Sequence, residues 1–380
     1  MTREDMEQGK KTKGRNYYDY SLLFLIIFLV CFGLVMIYST SSYNAAKYYN
    51  DPTKFVRRQG ILGVAGIIVM IVVSKIDYRL YIKKMPIIHV RPITLLYIFC
   101  LILQTAVLFL GEETGGSQRW IGIGGIKLQP SEITKICVVL FVSYIVQLAP
   151  KRLDNFFGFI RVVVFVGPLL ALVVKENFST ALIILCIMVA ICFVASRKKG
   201  YFIVSGIVFV ALGALLVFGV SYRSERIDVW RNVETHPKGY QILQGLYAIA
   251  SGGLFGKGLG QSMQKLGFIP EAHNDMIFSV ICEELGMFGA IAVIMLFLLL
   301  LWRLFVVAIN APDLYGGLIA TGVLTHIAVQ VLINVSVVTN SIPSTGIPLP
   351  FISYGGTSLL VLLAEMGIVL SVSNQIQHER

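Results

Sequence analysis

Long apolar segments alternate with short polar segments along most of this chain. Within each apolar segment the residues are continuously hydrophobic, which favours membrane-spanning helices and excludes a transmembrane β-barrel. A helix needs about 20 largely apolar residues to cross the hydrocarbon core of a bilayer. The pattern therefore predicts ten spans, at approximately 20–39, 60–75, 93–110, 133–149, 158–174, 180–196, 202–220, 276–303, 315–338 and 358–373.

The polar segments between these spans predict the orientation of the chain. Among the short loops, Lys and Arg are more frequent on the side of the N-terminal tail, which the positive-inside rule assigns to the cytoplasm. Residues 1–19 and 374–380 are then cytoplasmic tails, and 20–373 form one membrane domain of ten helices. The segment 221–275, between spans seven and eight, becomes a large extracytoplasmic loop. The predicted fold class is an all-α integral membrane protein.

Composition agrees with this class. Hydrophobic residues make up 56% of the chain and charged residues 14%, whereas a soluble domain has about 25% charged residues. The net charge of +11 could suggest a nucleic-acid partner. The basic residues, however, lie in loops between apolar runs and form no patch with interleaved aromatic residues, so we expect no nucleic acid to bind.

The first polar cluster with candidate chemistry is GSQRWIGIGGIKLQPSEITKI. Arg119 and Trp120 fit the outer membrane interface, and Pro130 suits the first turn of the fourth span. Glu132 and Lys135 then fall on one helix face inside the outer leaflet, where ionisable groups are costly. Two interpretations are open: an ion pair that only neutralises itself, or the wall of a polar cavity that meets an anionic head group.

The second cluster is PEAHND, at the end of the large loop. Asp275 could cap the eighth span, because Asp is a favoured N-cap residue, or it could serve as a catalytic group. His273 could be an ordinary hydrogen-bonded surface residue or a contact to a substrate. The same loop contains SGGLFGKGLGQS, whose glycines predict tight turns or a close approach of two backbones.

The third cluster is NSIPSTGIPLPFISYGGTS, residues 340–358, which has three prolines, three glycines and no charge. It predicts either a compact connector or a partly re-entrant loop, which is tolerated only where it is buried in protein or lines a cavity. Glu283, Glu284 and Glu365 lie within predicted spans. We expect each of them to face the bundle interior or a wet cavity.

Four segments carry a family resemblance: RWI, QPSEITK, YQILQGLYAIASGGLFGKGLGQSMQKLGFIPEAHNDMIFSVICEELG and GIPLPFISYGGTSLL. Together they resemble the SEDS family (shape, elongation, division and sporulation), the RodA/FtsW/SpoVE group of bacterial cell-wall polymerases. TNSIPSTGIPLPFISYGGTS looks more like the division branch, FtsW, than like RodA. Where many members read Gln-Pro-Asp-Leu-Gly-Thr, this chain reads KENFST, so that an Asp position is Asn177, with Glu176 beside it as a candidate substitute.

The resemblance implies a peptidoglycan glycosyltransferase. Such an enzyme polymerises lipid II, an undecaprenyl-pyrophosphate-linked disaccharide pentapeptide, into β-1,4 glycan strands at the outer face of the bacterial cytoplasmic membrane. The family's proposed catalytic Asp falls on Asp275, which would act as the general base. The expected substrate-binding residues are Arg119, Trp120, Glu132, Lys135 and His273.

The resemblance also implies partners and a location. The expected partners are a class B penicillin-binding protein and other proteins of the division or elongation complex, and the expected location is the division septum. A divalent cation, Mg²⁺ or Mn²⁺, could assist at the pyrophosphate, although no carboxylate cluster in the sequence resembles a dedicated metal site. A lipid II flippase and a structural scaffold are the alternative functions. The polar clusters concentrate on the predicted outer side, whereas a flippase needs access from both sides.

Overall fold

Apolar helices form most of the computed structural model, which describes residues 16–86, 89–114, 117–123, 126–207 and 221–377. In chain order the helices are α1 (Tyr20–Tyr49), α2 (Lys54–Lys75), α3 (Pro92–Leu110), α4 (Pro130–Leu148), α5 (Phe156–Glu176), α6 (Phe178–Ala195), α7 (Ser221–Arg231), α8 (Tyr240–Gly252), α9 (Ile277–Ile309), α10 (Leu314–Val338) and α11 (Thr357–Ser373). Eight of them, α1 to α6, α9 and α10, are long and apolar enough to cross a membrane, and α11 is a shorter apolar helix. The chain is a multi-pass membrane protein.

These eight helices and α11 coincide with nine of the ten predicted spans. The helices α1 and α9 extend beyond their predicted ends, because the helical backbone continues where the apolar run stops. The predicted seventh span, 202–220, lies mostly outside the described residues, and its described part is helical over 200–207. The membrane-helix class is confirmed, and the count of ten spans stays a prediction.

Short strands mark the two ends of the bundle. They are β1 (Asn16–Tyr17), β2 (Glu112–Thr114), β3 (Ser117–Ile123), β4 (Ile126–Leu128) and β5 (Ile376–Gln377). The strands β1 and β5 pair antiparallel and bring the two described ends of the chain together. Nearby, Arg303 forms a 2.7 Å ion pair with the buried Asp19, whose side chain also caps α1. The strands β2, β3 and β4 form a small antiparallel sheet between α3 and α4, which the sequence pattern did not predict.

Local sequence signals explain where several helices begin. Pro130 occupies the first turn of α4, as predicted, where its missing N–H costs nothing. The Asn177 side chain caps α6 by accepting a hydrogen bond from the Thr180 N–H. The helix α9 begins at Ile277, and its N-cap position is Met276, with no capping bond from a side chain. The interpretation of Asp275 as an N-cap is therefore wrong, which leaves its carboxyl group available for other contacts.

The glycine-rich loop packs against α9 where that helix is broken. Gly286 has φ 68° and ψ −167°, which interrupts the helix. The Gly258 N–H donates to the Glu284 carbonyl at 2.9 Å, and the Met287 N–H donates to the Gly253 carbonyl at 2.9 Å. A Cβ atom on Gly256 would lie 2.2 Å from the Glu284 carbonyl oxygen. The predicted close backbone approach at these glycines is confirmed.

Two buried carboxylates fasten this loop to the bundle. Glu283 accepts a hydrogen bond from Lys257 Nζ at 2.6 Å, and Glu284 accepts from Lys265 Nζ and from Ser39 Oγ of α1, both at 2.7 Å. We call these five residues the loop anchor. Both glutamates are fully buried, which confirms that they face the interior. Their partners come from the loop and from the first span, which are distant in sequence.

Candidate active site

A cavity of about 410 Å³ opens at the end of the bundle that carries the small sheet. Its volume falls within the range of ligand sites, roughly 300–1,000 Å³. The lining residues come from separate segments of the chain, and many of them are polar or charged. They are Arg58, Arg119, Trp120, Lys127, Gln129, Glu132, Asn177, Thr180, Glu271, Asn274, Asp275, Gly346, Ile347, Pro348, Tyr354, Gly355, Gly356 and Ser358.

Five helices begin near this cavity. The helices α2, α4, α6, α9 and α11 each place lining residues close to their first turns or just before them. A helix N-terminus carries a partial positive charge and unpaired N–H groups, which favour anions. Because five N-termini lie near the cavity, they add a positive electrostatic potential to that of the basic side chains, which suits a negatively charged ligand.

Asp275 lies in the turn directly before α9, and its side chain is partly exposed to the cavity. Its backbone carbonyl accepts a 2.8 Å hydrogen bond from Asn334 Nδ2 of α10. Burial, reinforced by the charge of Glu271, raises the pKa of Asp275 to about 6, while the Arg226 charge acts in the opposite direction. A carboxylate with such a pKa is a stronger proton acceptor than an ordinary Asp, as a general base requires.

Three cations line the same cavity: Arg58 from α2, Arg119 from β3 and Lys127 from β4. The Arg119 Nε donates to the backbone carbonyl of Glu176 at 3.3 Å, which ties the sheet to the end of α5. The backbone carbonyl of Lys127 accepts a hydrogen bond from Thr357 Oγ1 at 2.9 Å, which connects the sheet to the start of α11. The sheet therefore holds two of the cations over the helix N-termini.

Glu132 and Lys135 form the ion pair that their spacing predicted, with 3.0 Å between Lys135 Nζ and Glu132 Oε1. Only Glu132 lines the cavity, because the Lys135 side chain is 3% exposed and that of Glu132 is 15% exposed. Lys135 Nζ also donates to Gln330 Oε1 of α10 at 3.3 Å. The ammonium group thus stands behind the cavity wall, where it compensates the charge of Glu132.

This arrangement predicts a rescue experiment. Lys135→Met should lower the rate of reaction at this site about tenfold, because the uncompensated Glu132 carboxylate would then face an anionic substrate. Adding Glu132→Gln removes that charge and should restore most of the rate. The measurement is the initial rate of the single and double variants at matched protein concentration. If the double variant is no faster than Lys135→Met, Lys135 does not act through the charge of Glu132.

His273 lies beside the cavity and not among its lining residues. Its ring is buried and packs between Phe55 and Tyr354, at centroid distances of 4.5 and 5.4 Å. The His273 carbonyl accepts a hydrogen bond from the Tyr354 N–H at 2.9 Å. Burial lowers the pKa of His273 to about 4, so the ring is neutral at neutral pH. Its contacts fix the turn that carries Asp275, and a direct role in substrate binding stays a prediction.

The KENFST segment places Asn177 and Glu176 differently. Asn177 lines the cavity and caps α6, a position at which Asn and Asp are equivalent. Glu176 is the last residue of α5, and its side chain does not line the cavity. The fold thus accommodates Asn at the position where the resemblance led us to expect Asp, and Glu176 is poorly placed to substitute for that acid.

The third cluster forms one wall of the cavity. The segments Gly346–Pro348 and Tyr354–Gly356 line it, as expected for a loop that borders a cavity. Asn334 Nδ2 donates to the Ile347 carbonyl at 2.8 Å as well as to Asp275, so one amide joins this loop to the turn before α9. A single side chain of α10 thus helps to position two walls of the site.

Sequence reasoning missed several of these residues. Arg58 lies beside Arg57 at the outer end of the second span, where a pair of cations could have suggested a site. In α10 the polar residues His326, Gln330 and Asn334 are spaced four apart in an apolar helix, which places them on one face. Such a polar stripe in a membrane span indicates a buried or functional surface. Among the described residues, no group of three or more His, Cys, Asp or Glu side chains could hold a metal ion.

The family comparison agrees with this architecture. The FtsW/RodA/SpoVE family model, described as "Cell cycle protein", matches residues 20–378. This chain belongs to that family. The chain is 38% identical over 368 residues to the "Probable peptidoglycan glycosyltransferase FtsW" of Geobacter metallireducens. That match covers 95% of this chain and 96% of that protein. It is also 38% identical over 375 residues to the "Stage V sporulation protein E" of Bacillus subtilis, covering 93% and 96%.

Solved structures of the family share the fold. A chain from a study described as "Structural coordination of polymerization and crosslinking by a peptidoglycan synthase complex" has a TM-score of 0.77 and 25% identity, and the match covers 95% of this chain and 99% of that chain. The rod shape determining protein RodA of Thermus thermophilus has a TM-score of 0.70 and 25% identity, with coverage of 95% and 98%.

Proposed function

We propose that this FtsW/RodA/SpoVE member is a peptidoglycan glycosyltransferase that polymerises lipid II into β-1,4 glycan strands. The observation that carries the proposal is Asp275, a carboxyl group with a pKa of about 6 in a cavity that also presents three cations. The activity in the names of the FtsW relatives supports the same conclusion.

In the proposed reaction, Asp275 accepts the proton of the attacking sugar 4-hydroxyl. The hydroxyl oxygen forms a bond to the anomeric carbon of the second lipid II as the bond from that carbon to the pyrophosphate breaks. The leaving group is undecaprenyl pyrophosphate, and the proton remains on Asp275 until it is released to water. A single displacement inverts the anomeric centre, which converts an α-linked donor into a β-linked product.

The pyrophosphate gains negative charge as it leaves, and the cavity has groups that can stabilise it. Arg58, Arg119 and Lys127 provide charge-assisted hydrogen-bond donors. The N-termini of five helices add a fixed positive field that needs no rearrangement during the reaction. Trp120 offers an aromatic face of the kind that packs against sugars or amide groups. A divalent cation at the pyrophosphate stays an untested expectation.

The cavity is proposed to face the outside of the cytoplasmic membrane. At the opposite end of the bundle the connecting segments carry Arg79, Lys151 and Lys198, and α9 carries Arg303, as expected of a cytoplasmic face. Both described chain ends lie at that face. The sugars of lipid II would then meet Asp275 in water while the polyprenyl tail remains in lipid.

A crosslinking partner follows from the same proposal. The structural relative with a TM-score of 0.77 comes from a peptidoglycan synthase complex that coordinates polymerization and crosslinking. We therefore propose that this chain works with a class B penicillin-binding protein. The relatives include both an FtsW and a stage V sporulation protein at 38% identity, so a role at the division septum stays an expectation.

The proposal is tested with purified protein, fluorescent lipid II and gel separation of the products. A ladder of glycan strands that lysozyme digests supports a polymerase. Transfer of labelled lipid II across a vesicle bilayer without a ladder would instead indicate a flippase. The cavity residues lie at one end of the bundle, which favours the first outcome.

A further inference from the structure

A chain of polar side chains runs from the cavity wall into the apolar core of the bundle. Lys135 of α4 donates to Gln330 Oε1 of α10 at 3.3 Å. His326 Nε2, one turn earlier on α10, lies 2.9 Å from the same Oε1 atom. His326 Nδ1 lies 2.8 Å from Glu365 Oε2 of α11. All four side chains are buried, and His326 and Glu365 take no part in the reaction described above.

The orientation of the Gln330 amide is fixed by its neighbours. Its Nε2 lies 3.0 Å from the Pro348 carbonyl, which can only accept a hydrogen bond. Its Oε1 faces the Lys135 ammonium, which can only donate. A flipped amide would place an acceptor against the carbonyl and a donor against the ammonium group. Gln330 therefore has one satisfactory orientation.

That orientation determines the protons on His326. Because Gln330 Oε1 is an acceptor, His326 Nε2 must carry a hydrogen. Its Nδ1 then faces a carboxyl oxygen at 2.8 Å, and this contact needs one further proton, on the ring or on Glu365. The pair as a whole is neutral with a single shared proton between Nδ1 and Oε2, which avoids an isolated charge in the core.

His326 and Glu365 lie next to residues that support two walls of the proposed active site. Gln330 links Lys135, the counterion of Glu132, to Pro348 in the opposite loop. Glu132 and Pro348 both line the cavity. A hydrogen bond from His326 orients Gln330 between Lys135 and Pro348. Glu365 is thus connected to the cavity wall by three hydrogen bonds, from Glu365 to His326, from His326 to Gln330 and from Gln330 to Pro348.

We propose that His326 and Glu365 are positioning residues for the reaction at this site, acting through Gln330 on Lys135 and Pro348. This inference rests on the proposed glycosyltransferase function. Residues that orient directly contacting groups typically contribute about 10- to 100-fold when they are removed. The shared proton makes the pair testable by substitutions that differ in hydrogen bonding while they remain similar in size.

The first test compares Glu365→Gln with Glu365→Leu. The side-chain amide that Glu365→Gln introduces can donate to His326 Nδ1 and leave the hydrogen on Nε2, so this variant should polymerise at close to the parental rate. Glu365→Leu removes the partner of Nδ1 and should lower the rate about 10- to 100-fold. Leu370→Ala, in the buried face of the same helix, is the control for general destabilisation. Equal losses in Glu365→Leu and Leu370→Ala at matched melting temperatures would overturn the inference, as would a large loss in Glu365→Gln.

The second test does not depend on polymerisation. In protein labelled with ¹⁵N-histidine, the His326 signals are assigned by their disappearance in His326→Asn. At neutral pH Nε2 should show an N–H signal, and that signal should shift in Lys135→Met because Gln330 loses a partner. An unprotonated Nε2, or no response to Lys135→Met, would overturn the inference. If the parent makes no glycan, the proposed function fails, while this measurement still decides whether the hydrogen-bond chain exists.

Discussion

Asp275→Asn is expected to insert and fold, and yet to make almost no glycan. Asn matches Asp in size and has no comparable basicity, and general-base catalysis contributes about 10²- to 10⁴-fold. The substitution removes no helix cap, because the N-cap position of α9 is Met276. The Asn334 bond to the backbone carbonyl of residue 275 remains as well. The measurement is the initial rate of glycan formation from fluorescent lipid II.

Glu271→Gln is the matched control for this prediction. Glu271 lines the same cavity on the same turn, is exposed, and accepts a 2.7 Å bond from Asn274. It should keep most of the activity, because Gln can still accept from Asn274. A near-parental rate in Asp275→Asn together with a severe loss in Glu271→Gln would assign the base to Glu271.

The pH dependence follows from the raised pKa of Asp275. The base must be ionised, so kcat/KM of the parent should rise with pH through about 6 and level off above it. The free energy of unfolding should instead fall as pH rises through the same range. The folded-state pKa lies above the ordinary Asp value of 3.8, so folding favours the protonated form, and this contribution is lost as pH rises through about 6. Asp275→Asn should therefore melt at or above the parental temperature at neutral pH, with a difference that shrinks in acid.

The apolar pattern was sufficient to predict nine of the ten proposed spans, because a lipid-exposed helix must be hydrophobic along its whole length in the bilayer. It placed Arg119, Trp120, Glu132 and Asp275 near the outer ends of different spans, and these four residues line one cavity. Their convergence needed the family resemblance, since the spacing within one helix carries no information about which helices are neighbours.

The remaining features depend on contacts between distant segments. Lys135 shares a helix face with Glu132, and only the position of α10 decides that its ammonium group points behind the wall. Asp275 precedes the eighth span by a distance that suits an N-cap, and the turn before Ile277 places Met276 there instead. Arg58 was overlooked because a cation at the end of a span is usually a membrane anchor.

Glu283→Ala is expected to release the glycine-rich loop and destabilise the protein strongly. The fully buried Glu283 carboxylate accepts hydrogen bonds from Lys257 Nζ at 2.6 Å, from the Met263 N–H at 3.1 Å and from Ser262 Oγ. Removing one partner of a fully buried ion pair costs about 3–5 kcal/mol, and the cost is lower here because the Lys257 side chain is 34% exposed. The Met263 N–H and Ser262 Oγ also lose their acceptor, which adds to the loss. The melting temperature should fall accordingly, and trypsin should cleave after Lys257 in the variant under conditions that leave the parent intact.

A second acid and lysine pair provides the control for Glu283→Ala. Glu225 and Lys238 are 2.7 Å apart on an exposed surface, and such pairs contribute about 0–1 kcal/mol, so Glu225→Ala should melt close to the parent. The melting temperature of Glu283→Gln should lie between those of Glu283→Ala and Glu225→Ala. Gln retains an acceptor oxygen for one of the donors, but it lacks the negative charge that pairs with Lys257. The loop leads directly into the turn that carries Asp275, so activity should decline in the same order as stability. Equal melting temperatures for Glu283→Ala and Glu225→Ala would mean that the backbone pairing between the loop and α9, together with the Glu284–Lys265 pair, holds the loop without Glu283.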